Sequence, residues 1–218
     1  DNVELLISGS KLYGAYASVF VEDRGRQKRL STIAFDYAHH AFCVYKQAAC
    51  NIRELSYYEF EQSLEQFNKE DAQVLFALGS AWAGWLQANS ADWNAVAELP
   101  RIKAIIQRVL ELEPAINNGD AYLYMAVMQS FLPPAMGGKP ELAKNNFEQA
   151  IKVSNGSNLM AKLLYAEKYA RLVFDRELHD RLLKEVIDSR VENDEMTLIN
   201  SIAQHKAKRL LAQSDEYF

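Results

Sequence analysis

The sequence predicts an all-α fold built from stacked helical hairpins, about ten helices in a single bundle or short superhelix. Three observations carry this. Sustained period-two alternation, the mark of a strand, is absent from the 218 residues. The nine glycines and five prolines gather at a few breaks instead of punctuating many short segments. The stretch from Gly119 to Ile151 reads as helix, break, helix: Leu132-Pro133-Pro134-Ala135-Met136-Gly137-Gly138 interrupts the pattern, and Pro140 opens a segment with Ala143, Phe147 and Ala150 on one face.

That last pattern has tetratricopeptide (TPR) character with a lengthened turn. Small Ala143 and Ala150 let two helices approach closely while Phe147 fills the gap between them. In chain order, helices are expected near 11–22, 27–53, 57–68, 71–90, 100–113, 119–132, 140–154, 158–174, 176–189 and 196–214. Arg24 to Arg29 form a short basic run that reads as a solvated helix start. Ile33 to Ile52 is apolar around most of its circumference, which predicts a helix enclosed by neighbours. Ser56 and Asp194 are placed to cap the helices that follow them, and Pro100 and Pro140 stand at first-turn positions, where a missing N–H costs nothing. Ile102, Ile106 and Val109 form one stripe, as in the second helix of a hairpin. The whole chain, 1–218, is expected to form one TPR-like domain, with N-terminal helices in 1–69, hairpins in 70–190 and a C-terminal helix in 191–218.

A degenerate repeat supports the hairpins. Ile102, Ile106 and Val109 superpose on Ala143, Phe147 and Ala150 at an offset of 41 residues, and on His179, Leu183 and Val186 after another 36. Regular TPR arrays repeat at about 34, so the inter-helix turns must be wider here. Ala77, Leu78, Gly79 and Trp82, and likewise Tyr165, Ala166 and Tyr169, supply the matching first-helix faces.

Composition excludes several function classes. With 49% hydrophobic residues, a chain of this length buries roughly 70% of its unfolded surface and needs no staple. A net charge of −5 disfavours nucleic acid and anionic membranes, which call for concentrated Lys and Arg. No apolar run approaches the roughly 20 residues that cross a bilayer. Starting at Asp1 without a methionine, the chain is expected to be a processed or trimmed form, with any export signal or lipid anchor upstream.

Chemistry finds little footing. His39 and Cys43 lie one helical turn apart, and Cys50 falls near the same face. In one continuous helix, however, Cys43 and Cys50 stand about 10 Å apart, beyond disulfide reach and too far to share an ion, so both are assigned to the buried apolar face. The remaining histidines are scattered, no Gly-x-Ser-x-Gly surrounds a serine, and Gly138-Lys139 lacks both the leading glycine and the Ser or Thr of a phosphate loop. No catalytic residue, metal ligand or cofactor is therefore expected. Aromatic surface is what remains: Trp82, Trp85, Tyr122, Tyr124 and Phe131, with the turn residues Pro133, Met136, Gly137 and Gly138, are the candidate lining of a ligand or partner groove, Trp93 and Phe147 lying near the same join.

Several stretches together resemble the T component (TatT family) associated with tripartite ATP-independent periplasmic (TRAP) transporters, a family of TPR-like bacterial lipoproteins. They are Phe76 to Trp85, Leu99 to Lys103, Val109 to Leu112, Gly119 to Tyr122, Leu132 to Ala150 and Leu198 to Phe218, which looks like the family's closing helix. The resemblance covers about two thirds of the chain, and the first 55 residues match only in being helical. It implies a periplasmic protein held at the outer membrane through an upstream lipid, docking the solute-binding P component, assembling as a trimer, and carrying a channel for an apolar or amphipathic small ligand. A second reading is a generic TPR adaptor that grips a peptide or protein terminus, with Lys144, Asn145, Asn146 and Lys162 as its polar contacts.

Overall fold

The structure, a computed structural model, describes residues 2–131, 138–192 and 196–218, and these contain helices and turns but no strand. Contacts divide the chain into two compact units, Asp1–Pro114 and Ala115–Phe218.

The first unit holds α1 (Val3–Val19), α2 (Arg24–Tyr45), α3 (Tyr57–Leu64), α4 (Ala72–Ala88), the single turn α5 (Trp93–Val96) and α6 (Leu99–Leu112). Side-chain caps start most of them: Asn2 accepts from the Leu5 amide, Asp23 from that of Arg26, and Ser56 with Glu59 forms a capping box. Pro100 sits in the first turn of α6, as its spacing predicts. Helix α4 is the centre of this unit and packs on α1, α2 and α6. It approaches α6 so closely at Gly79 that an added Cβ would lie 2.8 Å from Ile105 Cγ2 and 2.9 Å from Ile106 Cδ1.

The second unit opens with a turn over Ile116–Gly119, followed by α7 (Asp120–Gln129), α8 (Pro140–Val153), α9 (Leu159–Leu164), a π-helical continuation (Tyr165–Ala170), α10 (Arg176–Asp188), α11 (Thr197–Ala212) and α12 (Ser214–Tyr217). Helices α7 and α8 pair as the expected hairpin, and α11 closes over α9 and α10. Gly119 has φ +84°, and a Cβ there would stand 3.1 Å from the Ala150 carbonyl oxygen, so conformation and crowding both require glycine. All nine superposed positions, Ile102, Ile106, Val109, Ala143, Phe147, Ala150, His179, Leu183 and Val186, are fully buried. The expected cap Asp194 and the turn residues Pro133, Met136 and Gly137 lie outside the described residues.

Three expectations are corrected. The long helix predicted to reach residue 53 ends at Tyr45, and a 3-10 turn over Gln47–Ala49 folds the chain back. Cys43 and Cys50 therefore stand 4.5 Å apart at Cα and form a disulfide. The spacing argument for 10 Å fails because it assumed an uninterrupted helix. The same helix is not enclosed by its neighbours either: Ile33, Tyr37, Val44 and Tyr45 are exposed.

Candidate functional site

The residues expected to line a groove fall into both units. In the first, Trp82 is fully buried on α4, its ring 5.4 Å from Phe35 and 6.5 Å from Phe60. Its indole Nε1 has no hydrogen-bond partner among the described residues. Trp85, one turn on, is partly buried beside the same Phe35. Trp93, expected among this group, is 85% exposed at the start of α5. In the second unit, Tyr122 is partly buried against the core and Phe131 is exposed just past α7. Burial, with the nearby Asp120 carboxylate, pushes the Tyr124 hydroxyl up to about 12. Gly138 lies outside any helix, two residues before α8.

Two of the four polar contacts of the adaptor reading are already engaged. Lys162 Nζ pairs with Glu185 at 2.8 Å, and Asn146 Nδ2 donates to Gln129 Oε1 and to the Leu142 carbonyl.

Of two further features, the first escaped the sequence reading and the second was noticed there and set aside. The first is an apolar stripe along α1, where Leu5, Leu12 and Val19 recur at seven-residue spacing, a run of about 21 Å. Leu5 is 73% exposed and Phe20 60%. Tyr13 extends the stripe onto α2 by stacking on Tyr37, and Arg26 lies over the ring of Tyr16. Its signal was available, since period-seven apolar residues continue N-terminal to the predicted helix start.

The second lies around the disulfide. His39 Nε2 is 3.1 Å from the Cys50 carbonyl oxygen, and Cys43 Sγ is 3.8 to 3.9 Å from both ring nitrogens of His39. Beside it opens a cleft of about 320 Å³ lined by His39, Cys50, Asn51, Arg53, Glu54 and Glu98. Arg53 lies over the rings of Phe35 and Trp82. Glu98 Oε2, 3.6 Å from Arg101 Nε, is buried without a hydrogen-bond partner among the described residues.

A family model described as TRAP transporter T-component matches residues 1–218. The chain belongs to this family. No curated protein matches it. The family match extends the likeness seen from Phe76 onward to the N-terminal helices as well. It gives this T component an accessory role in TRAP transport, in association with the transporter system and on its periplasmic side. Among the described residues, no helix is long and apolar enough to cross a membrane. A Cys43–Cys50 disulfide suits an oxidising compartment such as the periplasm.

The closing helix of this T component owes its sequence to the ends of other helices. Buried Asn200 accepts from the Leu159 amide at 3.1 Å and donates to the Ser157 carbonyl at 3.0 Å, while Gln204 Nε2 donates to the carbonyls of Val186, Ile187 and Ser189 at the end of α10. Lys206 pairs with Glu167 at 2.9 Å. Burial raises the Glu167 carboxyl, but Lys168 and Lys206 outweigh it and hold the group below its ordinary value. At the C-terminus, Phe218 packs edge-on against Phe174 and His179, and Arg171 lies over Tyr217. These groups tie α11 and the C-terminus to the elements around them.

Proposed function

We propose that this chain is the non-catalytic scaffold of a TRAP system, docking the solute-binding P component through the exposed face of α1 and α2. The exposed stripe Leu5, Leu12, Tyr16 and Phe20, joined by Ile33 and Tyr37, carries this reading. Apolar groups on a rigid helix pair meet a partner with little ordering cost, and aromatic residues with an arginine make effective anchors. In the same proposal the protein is a lipid-anchored periplasmic homotrimer, and an apolar or amphipathic ligand is held against Tyr122, Tyr124 and Phe131 in the second unit. A non-catalytic role is supported by three carboxyls held below their ordinary values: Asp71, Glu167 and Asp180 are engaged with Lys46, Lys206 and Arg176.

Titration calorimetry with the cognate P component tests the docking, alongside native mass spectrometry for assembly size and retained small molecules. Leu12→Asp with Tyr16→Asp should weaken binding at least about tenfold, a loss of about 1.4 kcal/mol. Unchanged affinity in that variant, with the helical signal intact, would remove the stripe from the interface.

A further inference from the structure

We propose that Cys43, Cys50 and His39 form a Zn²⁺ site in the dithiol form of this chain, so that the disulfide and the ion are alternative occupants of one position. The three ligand atoms, two sulfurs and one imidazole nitrogen, all lie within 4.8 Å of one another. A tetrahedral Zn²⁺ with sulfur at about 2.3 Å and nitrogen at about 2.0 Å spaces two sulfurs about 3.8 Å apart, and sulfur and nitrogen about 3.5 Å apart. The Cys43 Sγ to Nδ1 distance of 3.9 Å is within about 0.4 Å of that spacing. Once the S–S bond is broken, the sulfurs need only separate to their own van der Waals distance.

The histidine is prepared for the role. With its proton on Nε2, the ring donates to the Cys50 carbonyl at 3.1 Å, which leaves Nδ1 unprotonated, 3.9 Å from Cys43 Sγ, and a rotation of the ring brings that nitrogen to bear on the ion. A ring nitrogen fixed by a backbone carbonyl is the usual support of a metal-binding imidazole. Placement is equally specific: His39 and Cys43 are one turn apart on rigid α2, and the 3-10 turn over Gln47–Ala49 returns Cys50 to them. The cleft beside Cys50 leaves room for a water as fourth ligand and for entry of the ion. All three residues are partly exposed, so a reductant can reach the disulfide.

The exchange balances with a dithiol as reductant. Its two sulfurs join as a new disulfide, its two electrons break the Cys43–Cys50 bond, and its two protons pass to the protein thiols. Zn²⁺ then forms two Zn–S bonds and one Zn–N bond, and the two thiol protons leave to solvent.

The full-length protein, reduced with a phosphine and desalted without oxygen, is titrated with Co²⁺ to read sulfur-to-metal charge transfer, and with Zn²⁺ against a chromophoric chelator. The reduced protein should take up one equivalent and show the charge-transfer band, while the oxidised protein shows neither. His39→Ala should weaken Zn²⁺ binding by at least about tenfold, and Cys43→Ser by about a hundredfold. Zn²⁺ should also protect both thiols of the unaltered reduced protein from alkylation, a reading that needs no variant. Absence of stoichiometric uptake by the reduced form, equal uptake by the oxidised form, or a Co²⁺ spectrum unchanged in His39→Ala would each overturn the assignment.

Discussion

In the first unit, Phe35, Phe60 and Trp82 meet ring to ring around α4, Phe42 packs on Phe67, and Ile105 and Ile106 fill the space beside Gly79. The second unit buries Asn158, His179 and Asn200 beside Phe147 and Leu183: Asn200 completes the backbone at the start of α9, Asn158 donates to the Asp120 carboxylate, and His179 lies between Arg171 and Asp180. Aromatic volume dominates the first interior, while the second adds a buried amide that completes the backbone of its neighbours. Apolar packing tolerates rearrangement as long as space is filled, whereas a buried amide holds its partners to one register.

Truncation separates the two. Trp82→Ala should cost about 3–5 kcal/mol, because the cavity left under Phe35 and Phe60 cannot fully collapse. Asn200→Ala removes far fewer atoms, yet it strands the Leu159 amide and the Ser157 carbonyl at about 1–3 kcal/mol each. Urea unfolding followed by far-ultraviolet circular dichroism measures both. A cost below about 0.5 kcal/mol for Asn200→Ala would mean that water or neighbours replace the amide, and the contrast between the units would break down.

The disulfide should act on one unit only. It closes a short loop, for which chain entropy gives about 2–3 kcal/mol. Replacing both Cys43 and Cys50 by serine should therefore speed amide hydrogen exchange in α2 and α4 while leaving α8 and α10 as they were. Faster exchange in α8 would show that the loss spreads beyond the unit that contains the bridge.

How much of this was legible in the residues follows from the same distinction. Apolar spacing marked Ile102, Ile106, Val109, Ala143, Phe147, Ala150, Leu183 and Val186, and all are buried, because a 3.6-residue period survives whatever the neighbouring helices do. Pro100 and Ser56 likewise announced helix starts through local chemistry. The end of α2 had no such marker: no glycine or proline follows Tyr45, so the turn that brings Cys50 back to Cys43 is set by tertiary packing. The start of α1 was hidden in the opposite way, since Gly9 and Ser10 weaken local helix propensity but sit inside the helix, where Gly9 faces the Tyr37 ring. Of the candidate groove, the sequence located aromatic surface without its depth. Trp82 proves fully buried and Phe131 exposed, a difference that only the packing of α4 and the end of α7 decides.

The smallest expected effect tests whether the polar interior is also the acid-sensitive one. Burial raises Asp180, but Ser214, His179 and Arg176 outweigh it and lower the group, just as Lys168 and Lys206 lower Glu167. In the first unit, Asp71 is lowered despite burial by the Asn68 amide and Lys46. A carboxyl lowered by folding is protonated first in the unfolded chain, so its contribution is complete above the ordinary range near pH 4 and is lost as pH falls through the native value. Lys206→Met takes one partner from Glu167 and should narrow the gap in stability between pH 7 and pH 3 by less than about 1 kcal/mol. Thermal unfolding across that range reads it directly. Lys46→Met should do the same through Asp71, and two equal shifts would place acid sensitivity in the ion pairs of both units instead of in the buried amides that set the second apart.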